Sequence, residues 1–589
     1  MAQTTLGRRV FYVLAWLLPL WAVVAFFTGG VGWMLGPIRI SSRQPIRPLV
    51  IGLAVAAWYV WHYPRDEREA DGRWLLRWSA KAVPFTVAAA VVLGLFVGLR
   101  YGSYAAAGSD SYGYVSQARL WLSGTLRVEQ PFVEQLSWPN REWMFTPLGY
   151  RPASPAGTIV PTYPSGLPIV MALFLAAFGE NGPFYVVPVF AAVTVWLTYL
   201  LGREAAGSTG VGALAAVLLV LSPVFLTHTM VPMSDVPGAA GWTLVCLLVM
   251  KQRSTAAGWA AGLSLLIRPN LFLLALLPVV AWQTAPGSVS REAQAETDPG
   301  TLLVNYARGL TPAIIAIMAL NTFLYDGPLT FGYGGIFDSY AMSSLPANAV
   351  NYVRWLIETQ TLLILLALVP LFVRGALRED HTGFSPRACL ATLLALTFLS
   401  YLFYAVFDHW FYLRFLLPAY PTLFVLVAAA VFWMVQKLPT EARVPGAALI
   451  CVAMMLYGLQ VGRDAGIFKQ AGFEQRHIRA AAEVASRTPE NAIVLSVQHS
   501  GSVRYYANRI TLRYDWLPAD QLDAAVHELA AKGHPAYLVV DDWEQKEFQS
   551  RFSAASRLGK VDWAPIARVP GIPEVRVFQL QDGGPAAQQ

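Results

Sequence analysis

Charge and cysteine are both scarce in this 589-residue chain. Only 13% of its residues are charged and 56% are apolar, giving a mean hydropathy of +0.45. Soluble domains carry about 25% charged residues, so this balance excludes an ordinary soluble enzyme and makes the chain a polytopic membrane protein. Its three cysteines, Cys246, Cys389 and Cys451, all fall inside apolar segments, which excludes a disulfide framework and a cysteine-type zinc site. No basic run or RNA-binding motif accompanies the formal net charge of +7. Nucleic acid is therefore not an expected partner, and positively charged cytoplasmic loops account for the excess. No small-residue cleavage site follows the first apolar run, residues 10–27, which reads as an uncleaved anchor rather than a signal peptide.

What is present is a succession of apolar runs. Those at 10–27, 49–62 and 83–99 precede a polar, aromatic segment, 100–164, that contains Ser109-Asp110-Ser111-Tyr112-Gly113-Tyr114. With a cytoplasmic amino terminus, the stretch 65–81, which carries Arg65, Arg68, Arg73, Arg77 and Lys81, is cytoplasmic and Asp110 emerges outside. The loop with Arg39, Arg43 and Arg47 is the exception to this register. Run 165–178 is shorter than the ~20 residues a crossing needs and is expected to lie on the outer face. Runs 184–201 and 211–226 then cross in and out, placing His228 and Asp235 on the side of Asp110, and 238–250 returns inward to Lys251 and Arg253. Stretch 259–282 is broken by Arg268-Pro269-Asn270. Proline removes a helix hydrogen bond and arginine is costly in lipid, so two short helices meeting at a polar elbow are expected there. The loop 283–308 is expected inside, and 310–324 carries the chain out to Asp326.

Further crossings near 361–373, 388–406 and 415–435 leave Arg374, Arg378, Arg387 and Lys437 inside and Asp408, His409 and Arg414 outside. A last run, 447–461, puts the remainder outside. The expected fold class is an α-helical polytopic membrane protein with about 12–13 crossing or half-crossing helices. The tail is frequently charged and has no long apolar run. Residues 492–497, 536–540 and 575–580 read as strands and 519–532 as a helix, a small extracytoplasmic α/β domain. In it the Gln498-His499-Ser500-Gly501-Ser502 turn reads as a strand-to-helix connection.

The outer-face residues Asp110, His228, Asp235, Arg268, Asp408, His409 and Arg414 make chemical sense as a site for sugar transfer from a lipid phosphate. An acceptor hydroxyl attacking an anomeric carbon needs a carboxylate to take its proton. A departing phosphodiester that becomes a phosphomonoester calls for arginine or a metal ion. Asp110 suits the base, Asp235 a second catalytic role, and Arg268 and Arg414 the donor phosphate. His228, Asp235 and His409 are candidates to hold a cation or orient the acceptor. Each residue also has a structural alternative. Asp110 would cap a helix starting near Ser111, Asp235 would serve as a turn and cap residue, and Arg268 would snorkel to the headgroups. Arg414 would be an interfacial anchor, His228 and His409 structural residues, and Asp326 and Asp338 loop residues beside glycine turns. A transporter or flippase of lipid-linked sugars is the rival from another class, but it should show internal repeats, and none is found.

Several pieces occur in a telling order: Asp110 in Ser-Asp-Ser-Tyr-Gly-Tyr; Tyr163-Pro164-Ser165-Gly166-Leu167 opening a short apolar helix; Tyr199-Leu200-Leu201-Gly202-Arg203; Leu221-Ser222-Pro223; and Ser234-Asp235. They are followed by Arg268-Pro269, Phe331-Gly332-Tyr333-Gly334 and Arg414-Phe415-Leu416-Leu417-Pro418. This order resembles the GT-C superfamily of polyprenyl-phosphate-sugar glycosyltransferases, particularly bacterial members of the protein O-mannosyltransferase type and their lipopolysaccharide-modifying relatives. The resemblance implies extra amino-terminal segments in 1–82, a transmembrane catalytic domain in 83–463 with a first large outer loop at 100–164, and an outer domain in 464–589. It further implies an inverting hexosyl- or pentosyltransferase in the cytoplasmic membrane, with Asp110 as base and Asp235 as the second acidic position. Its donor would be a polyprenyl-phosphate sugar and its acceptor a glycan, lipid or protein, often with a divalent cation as cofactor. The paired acidic motif of some members is absent.

Overall fold

The computed structural model describes residues 2–35, 38–283, 298–335, 337–379 and 385–580; of the expected inner loop 283–308, residues 284–297 lie outside them, and 299–308 are not loop but the start of helix Pro299–Tyr325. Among the described residues six helices are long and apolar enough to cross a membrane, or eight if each of two bent pairs is one span. Shorter apolar helices, including Ile46–His62, Asp235–Met250, Ser254–Ile267 and Pro386–Leu402, fill the space between them. The chain is a multi-span membrane protein.

The charged stretch 65–81 is not a loop. It is the first half of a 37-residue helix, Arg65–Tyr101, and the boundary expected at 82/83 falls inside it. Pro64 in an extended conformation starts the helix, and Asp66 and Glu67 in the first turn complement its dipole. Arg65–Glu69 and Arg73–Glu69 pairs at i,i+4 then support it. Tertiary partners settle its buried charge: Asp71 is fully buried, bonded by Arg8 and by the Tyr59 hydroxyl at 2.9 Å, and Arg68 pairs with Glu441.

The helices share two ends. Arg65–Tyr101 runs alongside Thr440–Asp464, with Gly72 against Glu441 at one end and Tyr101 edge-on to Phe468, just past the second helix, at the other. Gly182–Ala206 runs the opposite way, since Gly98 meets Pro188 and Gly94 faces Val195. Its far end therefore lies with the Arg65 end, where Glu204 pairs with Lys251 at 3.2 Å and Arg378 at 3.4 Å. Before it, helix Gly166–Phe178 turns back at Gly179, where φ is +68°, and Gly182 lies under the Phe174 carbonyl. The short run is thus one arm of a hairpin.

Two expected crossings are bent. Thr209–Val220 and Pro223–Thr229 meet at 65°, and Met342–Gln360 with Leu362–Phe372 at 113°. The second pair replaces the simple crossing expected near 361–373. Its first arm, Leu345–Gln360, is amphipathic and docks through Asn348, whose amide donates to the Tyr401, Leu402 and Tyr404 carbonyls.

The tail forms a five-stranded sheet in the order Ala567–Val569, Val575–Leu580, Ala536–Asp541, Ile493–Leu495, Ile510–Leu512. The last three strands are parallel and the first two antiparallel to their neighbours. Helices Leu522–Ala531, Gln470–Arg487 and Asp542–Phe552 join it. Phe132, Val133, Leu136, Met144 and Phe145 of the first outer loop share its apolar core. At the end of strand Ala536–Asp541, His499 is fully buried and bonds Asp541 at 3.0 Å, while Arg476 pairs with the same carboxylate. Burial favours neutral Asp541, but the hydrogen bond from His499 and the positive charge of Arg476 outweigh it and hold the carboxyl below its ordinary range.

Candidate active site

Four residues singled out in the sequence line one cavity of about 360 Å³: Asp110, Asp235, Arg268 and Arg414. Each sits where regular structure is interrupted. After Tyr101 the chain leaves its helix, turns at Gly108 with φ +57°, and starts a new helix, Asp110–Ser123. Asp110 is the first residue of that helix, and its side chain does not cap it. One carboxylate oxygen accepts from the Tyr163 hydroxyl and the other from Arg414 Nη1 at 2.7 Å. Gly113 makes the first bond possible, because a Cβ there would lie 2.2 Å from the Tyr163 ring. Burial, then the charge of Asp110, push the Tyr163 phenol well above its ordinary pKa, so it stays a proton donor.

Asp235 begins helix Asp235–Met250 after the bend at Pro223, and it too is an ion-pair partner rather than a cap. Its carboxylate takes Arg268 Nη1 on one oxygen and lies 3.9 Å from Arg414 Nη1 through the other. Arg268 does not snorkel; it is 7% exposed. Pro269 forces the residue before it out of helical geometry, and Arg268 at φ −143°, ψ 84° ends helix Ser254–Ile267 with its guanidinium turned inward. There Nη2 donates to the Tyr401 hydroxyl at 3.1 Å, which also accepts from Asn270 at 3.0 Å. The expected elbow is present, with a 3₁₀ stretch, Pro269–Leu276, on its far side.

Arg414 lies in the 3₁₀ stretch Trp410–Ala419 and bridges the two aspartates. Its guanidinium carbon is within 5.3–5.7 Å of the Phe411, Tyr412 and Phe415 ring centroids, and its Nε is buried without a partner among the described residues. The cluster is electrically balanced, two carboxylates against two guanidiniums, as buried charges require.

His228 and His409 do not join this group. His228 is fully buried, its Nδ1 bonded to the Val224 carbonyl oxygen at 2.8 Å and its ring packed on Phe411. His409 is exposed, and its Nδ1 accepts from the Phe411 amide, closing the start of the 3₁₀ stretch. Asp408 is exposed as well, and Asp338 accepts from the Gly335 amide as a loop residue. None of these four lines the cavity. A divalent cation does not fit the donor set. Among the described residues no three of His, Cys, Asp or Glu converge, and both cavity carboxylates already face arginine. Sequence reading gave no site role to Tyr163 or Tyr401, which lie 53 and 133 residues from the charges they touch.

The small domain backs the Asp110 helix. Gly501 abuts the Tyr112 ring, where a Cβ would lie 2.2 Å away, and the Tyr506 hydroxyl accepts from the Ala106 amide at 2.8 Å. Half-buried Arg504 ties the domain to the outer loop through Gln130 Oε1 and the Phe145 carbonyl. The Gln498–Ser502 turn is thus both a strand-to-helix connection and the rear support of the cavity.

No protein-family model and no curated protein matches the sequence. Solved structures do resemble it in fold. ArnT from Cupriavidus metallidurans bound to undecaprenyl phosphate matches with a TM-score of 0.54 and 13% identity, over 84% of this chain and 97% of that one. The apo state of ArnT matches with the same TM-score and identity, over 85% and 98%. AglB, the archaeal oligosaccharyltransferase from Archaeoglobus fulgidus in complex with an inhibitory peptide and a dolichol-phosphate, matches at a TM-score of 0.49 and 12% identity, over 86% and 75%. The chain has the GT-C fold expected from the order of its segments.

Proposed function

From the GT-C fold and the charge cluster in its cavity, we propose that this chain is a membrane glycosyltransferase that moves one sugar from a polyprenyl-phosphate carrier to an acceptor hydroxyl. The observation that carries this reading is the junction of Asp110, Arg414, Asp235 and Arg268 in one cavity. Undecaprenyl phosphate, the ligand of ArnT, has the headgroup such a junction would bind. The donor's phosphodiester lies against Arg414 and Arg268 and competes with Asp110 for the Arg414 guanidinium. Asp110 is thereby released toward the acceptor.

The acceptor oxygen attacks the anomeric carbon, its proton passes to the Asp110 carboxylate, and the bond from anomeric carbon to phosphate oxygen breaks with its electron pair. The arginines stabilise the phosphomonoester as its second charge develops. One displacement gives inversion at the anomeric carbon. Asp235 acts by fixing both guanidiniums, and Tyr163 by orienting Asp110. We place the cavity end and the small domain outside the cytoplasmic membrane, because Lys251, Arg253, Arg374 and Arg378 lie at the other end of the helices. Domain limits follow the same division, except that the amino-terminal unit runs into helix Arg65–Tyr101.

The test is transfer by purified full-length protein from synthetic polyprenyl-phosphate hexoses and pentoses to a panel of hydroxyl acceptors. Release of bare polyprenyl phosphate together with a glycoside of inverted anomeric configuration is expected. Movement of intact carrier across vesicles without sugar release would replace the reading with the flippase.

A further inference from the structure

Two groups of residues stand out in the cavity lining. One is aliphatic, formed by Leu265, Leu266, Ile267, Ile317 and Leu320; the other is aromatic, with Tyr340, Tyr404, Phe407 and Tyr412 beside Arg414. The aromatic rings brace one another: Phe407 stacks on Tyr412 at 3.9 Å and 19°, Tyr404 on Phe407 at 6.4 Å and 28°, and Tyr340 meets Tyr404 edge-on at 5.4 Å. Such a wall is a rigid platform whose side chains lose little further freedom on binding.

One of its polar groups is left over. The Tyr340 hydroxyl is buried with no hydrogen-bond partner among the described residues, and the half-buried Tyr404 and Tyr412 line the cavity beside it. A buried phenol without a partner costs about 1–3 kcal/mol, so a ligand that offers hydroxyls is favoured over one that offers only hydrocarbon. An isoprenoid tail matches the aliphatic wall and would leave the Tyr340 phenol unsatisfied. A sugar ring has apolar C–H faces to lie on aromatic rings and hydroxyls at its rim to meet phenols.

We infer that the wall of Tyr340, Tyr404, Phe407 and Tyr412 is a carbohydrate-ring subsite. This rests on the proposed transferase reading, and the ring belongs either to the donor or to a glycan acceptor. The wall, rather than the charge cluster, then decides which sugar is accepted.

The experiment measures equilibrium binding to detergent-purified full-length protein of decaprenyl phosphate, of the same carrier bearing a hexose or a pentose, and of free methyl hexosides and pentosides. Tyr404→Leu and Phe407→Leu remove a ring while keeping apolar bulk, and Tyr404→Phe removes only a hydroxyl. In the leucine variants at least one sugar-bearing ligand should weaken about tenfold, the size of effect lost pocket contacts produce, while bare decaprenyl phosphate binds as before. Tyr404→Phe should fall between them and the wild type. Loss confined to the charged carrier assigns the donor's ring, and loss confined to methyl glycosides assigns the acceptor's. Unchanged binding of every sugar ligand, or equal weakening of bare and charged carrier, overturns the inference. If bare carrier fails to bind the wild type, the transferase reading falls instead, and the methyl glycosides alone decide the wall.

Discussion

Asp110→Asn should lower sugar transfer about 10²- to 10⁴-fold, the range a positioned general base supplies. The amide keeps the size of the carboxylate; its oxygen can still accept from Arg414 and its NH2 can donate to the Tyr163 hydroxyl oxygen, so the fold should survive. What disappears is the group that, in the proposed mechanism, receives the acceptor's proton. Carrier binding should not weaken, because the carboxylate competes with the donor phosphate for Arg414 in the resting site. Initial rates and carrier affinity measured on one preparation separate the two effects. A fall in affinity with no fall in the maximal rate would give Asp110 a binding role instead.

Asp235→Asn should have the largest effect on stability. Asp235 is 3% exposed and is the carboxylate shared by Arg268 and Arg414. Removing one partner of a buried ion pair costs about 3–5 kcal/mol, because the remaining charge is stranded away from water. The thermal midpoint followed by tryptophan fluorescence should drop by several degrees, and adding Arg268→Gln should recover part of the loss. Arg65→Ala should move the midpoint little, since the Arg65 side chain is 82% exposed in its pair with Glu69 and such pairs contribute about 0–1 kcal/mol. Equal effects at the two positions would show that the cavity is wetter than its burial implies.

Much of the site was legible in the sequence because its charges stand out against apolar surroundings. Arg268-Pro269 inside an apolar run announces both a break and a reason for it, and the structure has the break there. The sidedness of Asp110 and Asp235 depended on the short run 165–178, which turns back at Gly179. Partnerships were not legible. Arg414 meets Asp110 across 304 residues, and no local pattern encodes such a pairing. Local cap propensity pointed to Asp110 and Asp235 as helix caps; long-range guanidiniums took both side chains instead. In stretch 65–81 two charges have partners from distant parts of the chain, Asp71 with Arg8 and Tyr59 and Arg68 with Glu441, and no local pattern encodes them. The aromatic wall was invisible for another reason: tyrosines near a membrane interface are ordinary, and only the structure brings these rings together and leaves the Tyr340 hydroxyl without a partner among the described residues.

The most direct measurement is a structure of the Asp110→Asn chain with sugar-charged polyprenyl phosphate bound. The account predicts the phosphate against Arg414 and Arg268, with the anomeric carbon facing residue 110. A phosphate seated at the opposite end of the helices near Arg378, or an anomeric carbon turned away from residue 110, would contradict it.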